Sequence, residues 1–307
     1  MAGGDAEMGM TRYARQTCLP EVGPRGQARL AAAHVLVAGA GGLGSALLPL
    51  LAGAGVGRIA LFDPDRVEAH NLHRQTLYRM ADLGQPKAEV AAGHLARLNP
   101  ECVVAPHVAR LGPDADVARA DLVIDAADNF ATSYALSDLC LASGTPLITA
   151  SVIARQGYAA GLCGGAPSLR ALFPDPPARA ATCAEAGVMG PAVALLGALQ
   201  AQMALSVLLG HSPSPLGQMM TVDLGAWRFG QFRFDDAPEP DAAFPPVVAG
   251  ARAGDLLIDL RHEALPEDLP SGTRVVLACA TGLRAWRAAR TLRARGHGDV
   301  AICADGR

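Results

Sequence analysis

Apolar and polar positions along the chain fall into short runs that switch between a strand-like and a helix-like period. Residues 34–40 (HVLVAGA) form an apolar, β-branched run that opens directly into glycines. The pattern predicts a strand there, a helix over 45–54 despite Pro49, and a second strand over 58–63 (RIALFD), which together have the size of one βαβ unit. Residues 85–98 (QPKAEVAAGHLARL) predict another helix. Pro86 suits its first turn, Ala88, Val90, Ala91, Leu95 and Leu98 give it an apolar side, and Asn99-Pro100 stops it. Strands over 102–106 and 121–125, a helix over 131–143 and a strand over 146–150 follow. Alternation of this kind predicts an α/β fold whose doubly wound, mostly parallel sheet carries helices on both faces.

After Ser151 the pattern weakens. Residues 163–191 are rich in Gly and Pro and read as a long irregular connection, and long loops in compact domains tend to carry function. An apolar helix starts at Pro191. Gly197, Gln200 and Gln202 interrupt it, so it reads as a core or subunit-contact helix rather than a membrane span. Strand-like pieces at 219–224 and 227–234 close the first unit, 1–234. Residues 235–253, with four prolines and little periodicity, read as a semi-stiff linker. A small second unit, 254–307, predicts strands at 255–260, 274–279 and 299–303 and a helix at 283–295.

Composition narrows the function. Half of the 307 residues are hydrophobic and 18% are charged, enough to bury a core. The formal charge of −3 gives no support to a nucleic-acid or membrane-surface binder. Seven cysteines without a C-x-x-C pair argue against a disulfide scaffold and a tetrahedral zinc site. The first ten residues lack the basic and apolar regions of a secretory signal, so a cytoplasmic location is expected.

Candidate chemistry begins at Gly39-Ala-Gly41-Gly42-Leu-Gly44, a G-x-G-x-x-G between a predicted strand and a predicted helix. Glycines let a backbone approach a phosphate, and a helix start offers unpaired N–H donors. Asp63 ends the next strand, 19 residues after Gly44, where a carboxylate accepts ribose hydroxyls. The glycines alone fit NAD as well as ATP. The residues that follow favour a triphosphate: Arg74 in Asn71-Leu-His73-Arg74-Gln75, Lys87 in Gly84-Gln-Pro86-Lys87, and Arg15 upstream. Asp125-Ala-Ala-Asp128-Asn129 puts a carboxylate at the carboxyl end of a strand. Asp128 there suits Mg2+ that also binds phosphate, or a helix N-cap, and the two roles are compatible.

Taken in order, R-Y-x-R-Q, G-A-G-G-L-G, D-P-D-x-V, N-L-x-R-Q, the segment ending in Lys87, D-x-x-D-N and Cys183-A-E-A-G-V-M-G-P resemble the MoeB/ThiF/HesA family over about residues 11–234. That family is similar to the adenylation domain of ubiquitin-activating enzymes. The resemblance implies a Rossmann-like fold and a Mg-ATP-dependent adenylyltransferase acting on the C-terminal glycine of a ubiquitin-like sulfur carrier that ends in Gly-Gly. It implies Gly41 and Gly42 near the phosphates, Asp63 at the ribose, Asn71, Arg74 and Lys87 in contact with the phosphates, and Gly39, Gly44 and Gln75 among the cofactor-binding residues. It also implies Asp128 at the metal and Arg15 reaching across a homodimer. Cys183 is the family's candidate sulfur or acyl acceptor, against a purely conformational role for its loop. The first of the family's two usual zinc-binding cysteine pairs would fall at Ser168 and Ala171, which supply no thiolate, so no structural zinc is expected.

Cys279-Ala-Thr-Gly282-Leu-Arg284 resembles the rhodanese active-site loop, and 255–261 resembles the opening strand of that domain. The unit is little more than half the usual length, which leaves sulfur transfer through Cys279 open against a degenerate or docking module. Two further classes compete with the adenylyltransferase: an NAD-dependent oxidoreductase on the same glycine turn, and a noncatalytic carrier-binding protein. Molybdopterin and thiamine (thiazole) synthesis both fit the chemistry, and the Cys183 motif leans to the former.

Overall fold

The computed structural model describes residues 12–175, 187–241, 244–270 and 272–303. Two short helices, α1 (Ala14–Thr17) and α2 (Gly23–Ala32), precede β1 (His34–Ala38). Then come α3 (Gly42–Ala54), β2 (Arg58–Phe62), α4 (Lys87–Leu98), β3 (Val103–His107), β4 (Leu122–Asp125), α5 (Phe130–Ser143) and β5 (Pro146–Ile153). The sheet continues through β6 (Gln156–Cys163), with α6 (Leu169–Leu172) and α7 (Gly190–Leu209) before β7 (Gln218–Asp223) and β8 (Arg228–Arg233). Strand order is β3-β2-β1-β4-β5-β6-β7-β8. The first five strands are parallel, and β6 to β8 add an antiparallel wing.

Strand side chains alternate between two cores, as a period of two requires. Val35 and Val37 join Leu47, Leu48 and Leu51 of α3, Leu95 of α4 and Leu196 of α7 on one face. Leu36 and Ala38 join Tyr134 and Leu136 of α5 on the other. Helix α7 is long and apolar enough to cross a membrane, yet it packs on α3, β5 and β6 as a core helix.

Four elements depart from the sequence-based expectation. Residues 156–163 form a strand, because the small residues of QGYAAGLC let it pass close to its neighbours. A Cβ on Gly161 would lie 2.3 Å from the Pro215 carbonyl oxygen, and one on Gly157 would lie 2.4 Å from Leu196. The predicted helix over 45–54 begins earlier, at Gly42, so the glycine motif itself supplies its first turn. No clear periodicity announced α1 or α2; Leu30 of α2 and Val22 at its N-cap pack against Leu209 of α7.

The C-terminal residues form a separate three-stranded parallel sheet, β11-β10-β9, from β9 (Leu256–Asp259), β10 (Val275–Ala278) and β11 (Val300–Cys303), with α8 (Leu283–Ala294) against it. The predicted linker is packed at several points rather than free. Val247 bridges Ile302, and Phe244 stacks on Trp286 at 5.5 Å. Ser168, at the position of the family's first zinc-binding cysteine, is the N-cap of α6. Its N–H and its Oγ both donate to the Glu239 carboxylate, each at 2.6 Å. This clamp ties the segment after β8 back to the corner after β6. Removing the acceptor strands a buried N–H and hydroxyl, which costs about 1–3 kcal/mol. Glu239→Ala is therefore expected to lower the thermal midpoint by several degrees, at about 2–4 °C per kcal/mol for a chain of this size, as scanning calorimetry would register; an unchanged midpoint would remove the clamp from the fold's stability.

Candidate active site

The carboxyl ends of β1, β2 and β4 lie side by side, with Ala38 paired to Phe62 on one flank and Asp125 on the other. The chain leaves β1 through Gly39, whose φ of +102° is a glycine conformation. A Cβ on Gly39 would lie 2.5 Å from the Ala126 carbonyl oxygen, and a Cβ on Gly44 would lie 2.4 Å from the Gly39 carbonyl oxygen. These two glycines therefore serve backbone packing. Gly42 packs on Val193 of α7, while at Gly41 the nearest atom to an added Cβ is Gln75 Nε2 at 3.6 Å. No side chain caps α3 at Gly41, so its first N–H groups are free for an anion.

Asp63 is buried beside this turn. One carboxylate oxygen accepts the Ala40 N–H at 2.7 Å and the other accepts the Asp65 N–H at 2.8 Å. Burial pushes its carboxyl above the ordinary range, against the pull of nearby Lys87 and the two N–H donors. Tyr78, which the motifs did not single out, donates its hydroxyl to the Ala40 carbonyl at 2.7 Å and so fixes the turn from the opposite side. Its position in the loop between the Arg74 and Lys87 motifs was the available signal. Burial raises that phenol as well, which keeps it a donor.

The segment between Asp63 and Lys87 folds back on itself. The Val67 N–H donates to the Gln85 carbonyl, the Gly84 N–H to the Val67 carbonyl and the Lys87 N–H to the Asp65 carbonyl, each at 2.9 Å. Lys87 thus returns to Asp65, and its buried Nζ pairs with the exposed Asp65 carboxylate at 2.9 Å. Arg74 lies over the glycine turn, its Cγ 3.8 Å from where a Gly42 Cβ would stand. Its guanidinium donates to Asn71 Oδ1 at 3.0 Å and lies 2.8 Å from His73 Nε2. The buried Gln75 Oε1 has no hydrogen-bond partner, so the cleft retains an unused acceptor. Arg15 is exposed and distant from this turn. Its neighbour Gln16 donates to the Ala54 carbonyl at the far end of α3, a 13-residue helix about 20 Å long.

At the end of β4, Asp125 is fully enclosed. Thr149 Oγ1 donates to it at 2.9 Å, the Ala127 N–H at 3.1 Å, and burial raises its carboxyl. Gln200 of α7 donates to its backbone carbonyl at 2.8 Å. Asp128 is exposed toward solvent. The α5 N-cap is Asn129 and not Asp128: Asn129 Oδ1 accepts the Thr132 N–H at 3.1 Å, because the motif's aspartate sits one residue too early. This frees the Asp128 carboxylate. Among the described residues no group of three or more His, Cys, Asp or Glu side chains is arranged to hold a metal. A lone exposed carboxylate beside a phosphate-type turn fits Mg2+ that takes its other ligands from phosphate and water. Cys183 lies outside the described residues. Cys279 is buried; its Sγ accepts the Gly282 N–H at 3.1 Å and the Ala285 N–H at 3.4 Å, and Arg284 faces solvent.

A glycine turn at the carboxyl end of a parallel sheet, with a ribose-type carboxylate and cations above it, defines a nucleotide-binding α/β protein. The family comparison is more specific: residues 13–242 match the ThiF family model, and the chain belongs to that family. It is 44% identical over 227 residues to the sulfur carrier protein adenylyltransferase of Thermus thermophilus, covering 70% of this chain and 83% of that protein. It is 46% identical over 218 residues to the adenylyltransferase and sulfurtransferase MOCS3 of Bos taurus, covering 69% of this chain but 48% of that one, so it spans about half of that relative's length. The SAMP-activating enzyme E1 of Haloferax volcanii is 39% identical over 219 residues, covering 70% of this chain and 81% of that protein. E. coli MccB, solved with AMPCPP and MccA, shares the fold at a TM-score of 0.64 and 22% identity, over 74% of this chain and 72% of that one. The chain is an adenylyltransferase by this kinship. The family match ends before β9.

The buried Asp63 makes stability depend on pH. Its folded-state value lies above the ordinary 3.8, so the native state holds the proton more tightly than the unfolded one. Its contribution is fully present below pH 3.8 and is lost as the pH rises through the folded value. Asp63→Asn is expected to flatten this part of a urea-denaturation series across pH, and an unaltered slope would show that Asp63 does not set it.

Proposed function

We propose that the crevice binds Mg-ATP and that the enzyme adenylates the C-terminal glycine of a ubiquitin-like sulfur-carrier protein ending in Gly-Gly. The observation that carries this reading is the gathering of Arg74, Lys87 and Asp63 around one glycine turn, with Asp128 at the end of the adjoining strand. Kinship with proteins named for sulfur-carrier adenylation supplies the substrate class. In the reaction a carboxylate oxygen of the carrier terminus attacks the α-phosphorus, the bond to the bridging oxygen breaks, and pyrophosphate leaves with both electrons. Two anions must meet, so positioning and cation clamps supply most of the catalysis. Asp63 holds the ribose. The free N–H groups of α3 and the Arg74 and Lys87 side chains hold the phosphates, with Asn71 and Gln75 orienting Arg74 and the tail. Asp128 would hold Mg2+, which neutralises phosphate charge when bound.

Arg15 acts, in this reading, in the site of a second copy, since about a helix length separates it from its own glycine turn. The enzyme is then a homodimer, works in the cytoplasm and serves molybdopterin or thiamine synthesis, with the former favoured by the Cys183 motif. Cys183 keeps its place as a candidate acceptor. An NAD-dependent oxidoreductase has no use for cations and a carboxylate gathered in this way. For Cys279 the burial favours the docking reading over sulfur transfer. Asp128→Ala is expected to abolish carrier-dependent exchange of pyrophosphate into ATP while leaving the circular dichroism unchanged; retained exchange would take Asp128 out of the metal role. Thiosulfate is expected to leave no persulfide on Cys279 in the intact protein by mass spectrometry, and stoichiometric persulfide there would restore the sulfurtransferase reading.

A further inference from the structure

We propose that the C-terminal unit is a positioning element for Asp128: its 279–282 turn caps helix α5 from outside and holds the segment that carries the carboxylate. Helix starts leave N–H groups without internal partners, and a neighbour's carbonyl can satisfy them. In α5 that neighbour is the second unit. The Ala131 N–H donates to the Thr281 carbonyl at 3.2 Å. Asn129 works in both directions, with Oδ1 accepting the Thr132 N–H and Nδ2 donating to the Ala280 carbonyl at 3.0 Å. Gly282, at a φ of +84°, lies so close that a Cβ there would stand 2.6 Å from Ala131 Cβ.

The contact continues along α5. Trp286 of α8 stacks on Tyr134 at 6.0 Å between ring centres. The Arg170 guanidinium lies 4.9 Å from the Tyr134 ring, 4.4 Å from Phe244 and 5.5 Å from Trp286, and it is anchored by Asp138 of α5. Asp128 therefore sits between two fixed points. Upstream, Ala126 is locked against Gly39; downstream, Asn129 and Ala131 are locked against the 280–282 turn. Without the second lock the first turn of α5 frays, and a carboxylate one residue before the cap moves with it. The same contact accounts for the buried Cys279, whose turn is spent on holding α5.

The functional half of this proposal rests on Asp128 serving Mg-ATP, and the test separates the two. Asn129→Asp keeps the oxygen that accepts from Thr132 and removes the donor to Ala280. Gly282→Val wedges the contact from the other side without altering charge. Both are expected to speed hydrogen exchange at the Ala131 amide roughly tenfold. Both are also expected to raise the Mg2+ concentration for half-maximal pyrophosphate exchange by a similar factor, with kcat at saturating Mg2+ retained. In Asn129→Asp this shift runs against the added negative charge, which by Coulomb attraction alone would lower the Mg2+ requirement. Ala131 protection equal to wild type in Asn129→Asp overturns the capping. A faster amide with an unchanged Mg2+ requirement overturns the positioning role. If Gly282→Val does not fold, Asn129→Asp decides. Absence of any exchange activity in the wild type counts against the proposed function, and the amide measurement still decides the capping.

Discussion

A contact between two stretches of main chain governs the rest of the molecule. At the end of β1 the backbone at Gly39 meets the backbone at Ala126, and Gly44 closes over Gly39, at distances no side-chain carbon could share. Because β1, β2 and β4 run parallel and in register, this packing brings three strand ends to one point. Asp63 arrives from β2 and the Asp125–Asp128 segment from β4, while the uncapped start of α3 supplies the donors between them. The crevice thus follows from where glycine stands, and the charged residues inherit their positions from it.

The cations of the site are held by the protein's own groups. Lys87 is buried against Asp65, and Arg74 rests on Asn71 and beside His73. Burying an ammonium without a partner is costly, so the Asp65 carboxylate offsets the burial of Lys87 and fixes its direction. Asp65 is itself exposed, so water shares in stabilising its charge. Tyr78 and Gln200 do comparable work on the main chain, one at the Ala40 carbonyl and the other at the Asp125 carbonyl.

Much of this was legible in the sequence where a strong local rule applied. The glycines, the strand before them, and the Asp63 spacing follow from what a phosphate turn demands, and α4 was marked by Pro86 at its start and Asn99-Pro100 at its end. Strand β6 was hidden because it is built from small residues chosen for close approach rather than for β-propensity. Helix α2 packs on α7, far away in sequence, so its own pattern is faint. A capping role was open to Asp128 as well as a metal role, and Asn129 fills it, because adjacent acidic and amide residues look alike until the helix start is known. The Tyr78, Gln200 and Glu239 contacts join segments too distant for any spacing rule, and the packed linker depends on Phe244 and Val247 meeting a unit that comes later in the chain.

The proposed function requires the crevice to hold the three-phosphate tail of an adenine nucleotide. Its most direct test is a calorimetric titration of the intact protein with ATP, ADP, AMP and NAD at fixed Mg2+. Affinity is expected to climb with each added phosphate, reaching at least tenfold between AMP and ATP, with NAD bound no better than AMP. Equal affinities for AMP and ATP, or a preference for NAD, would contradict it.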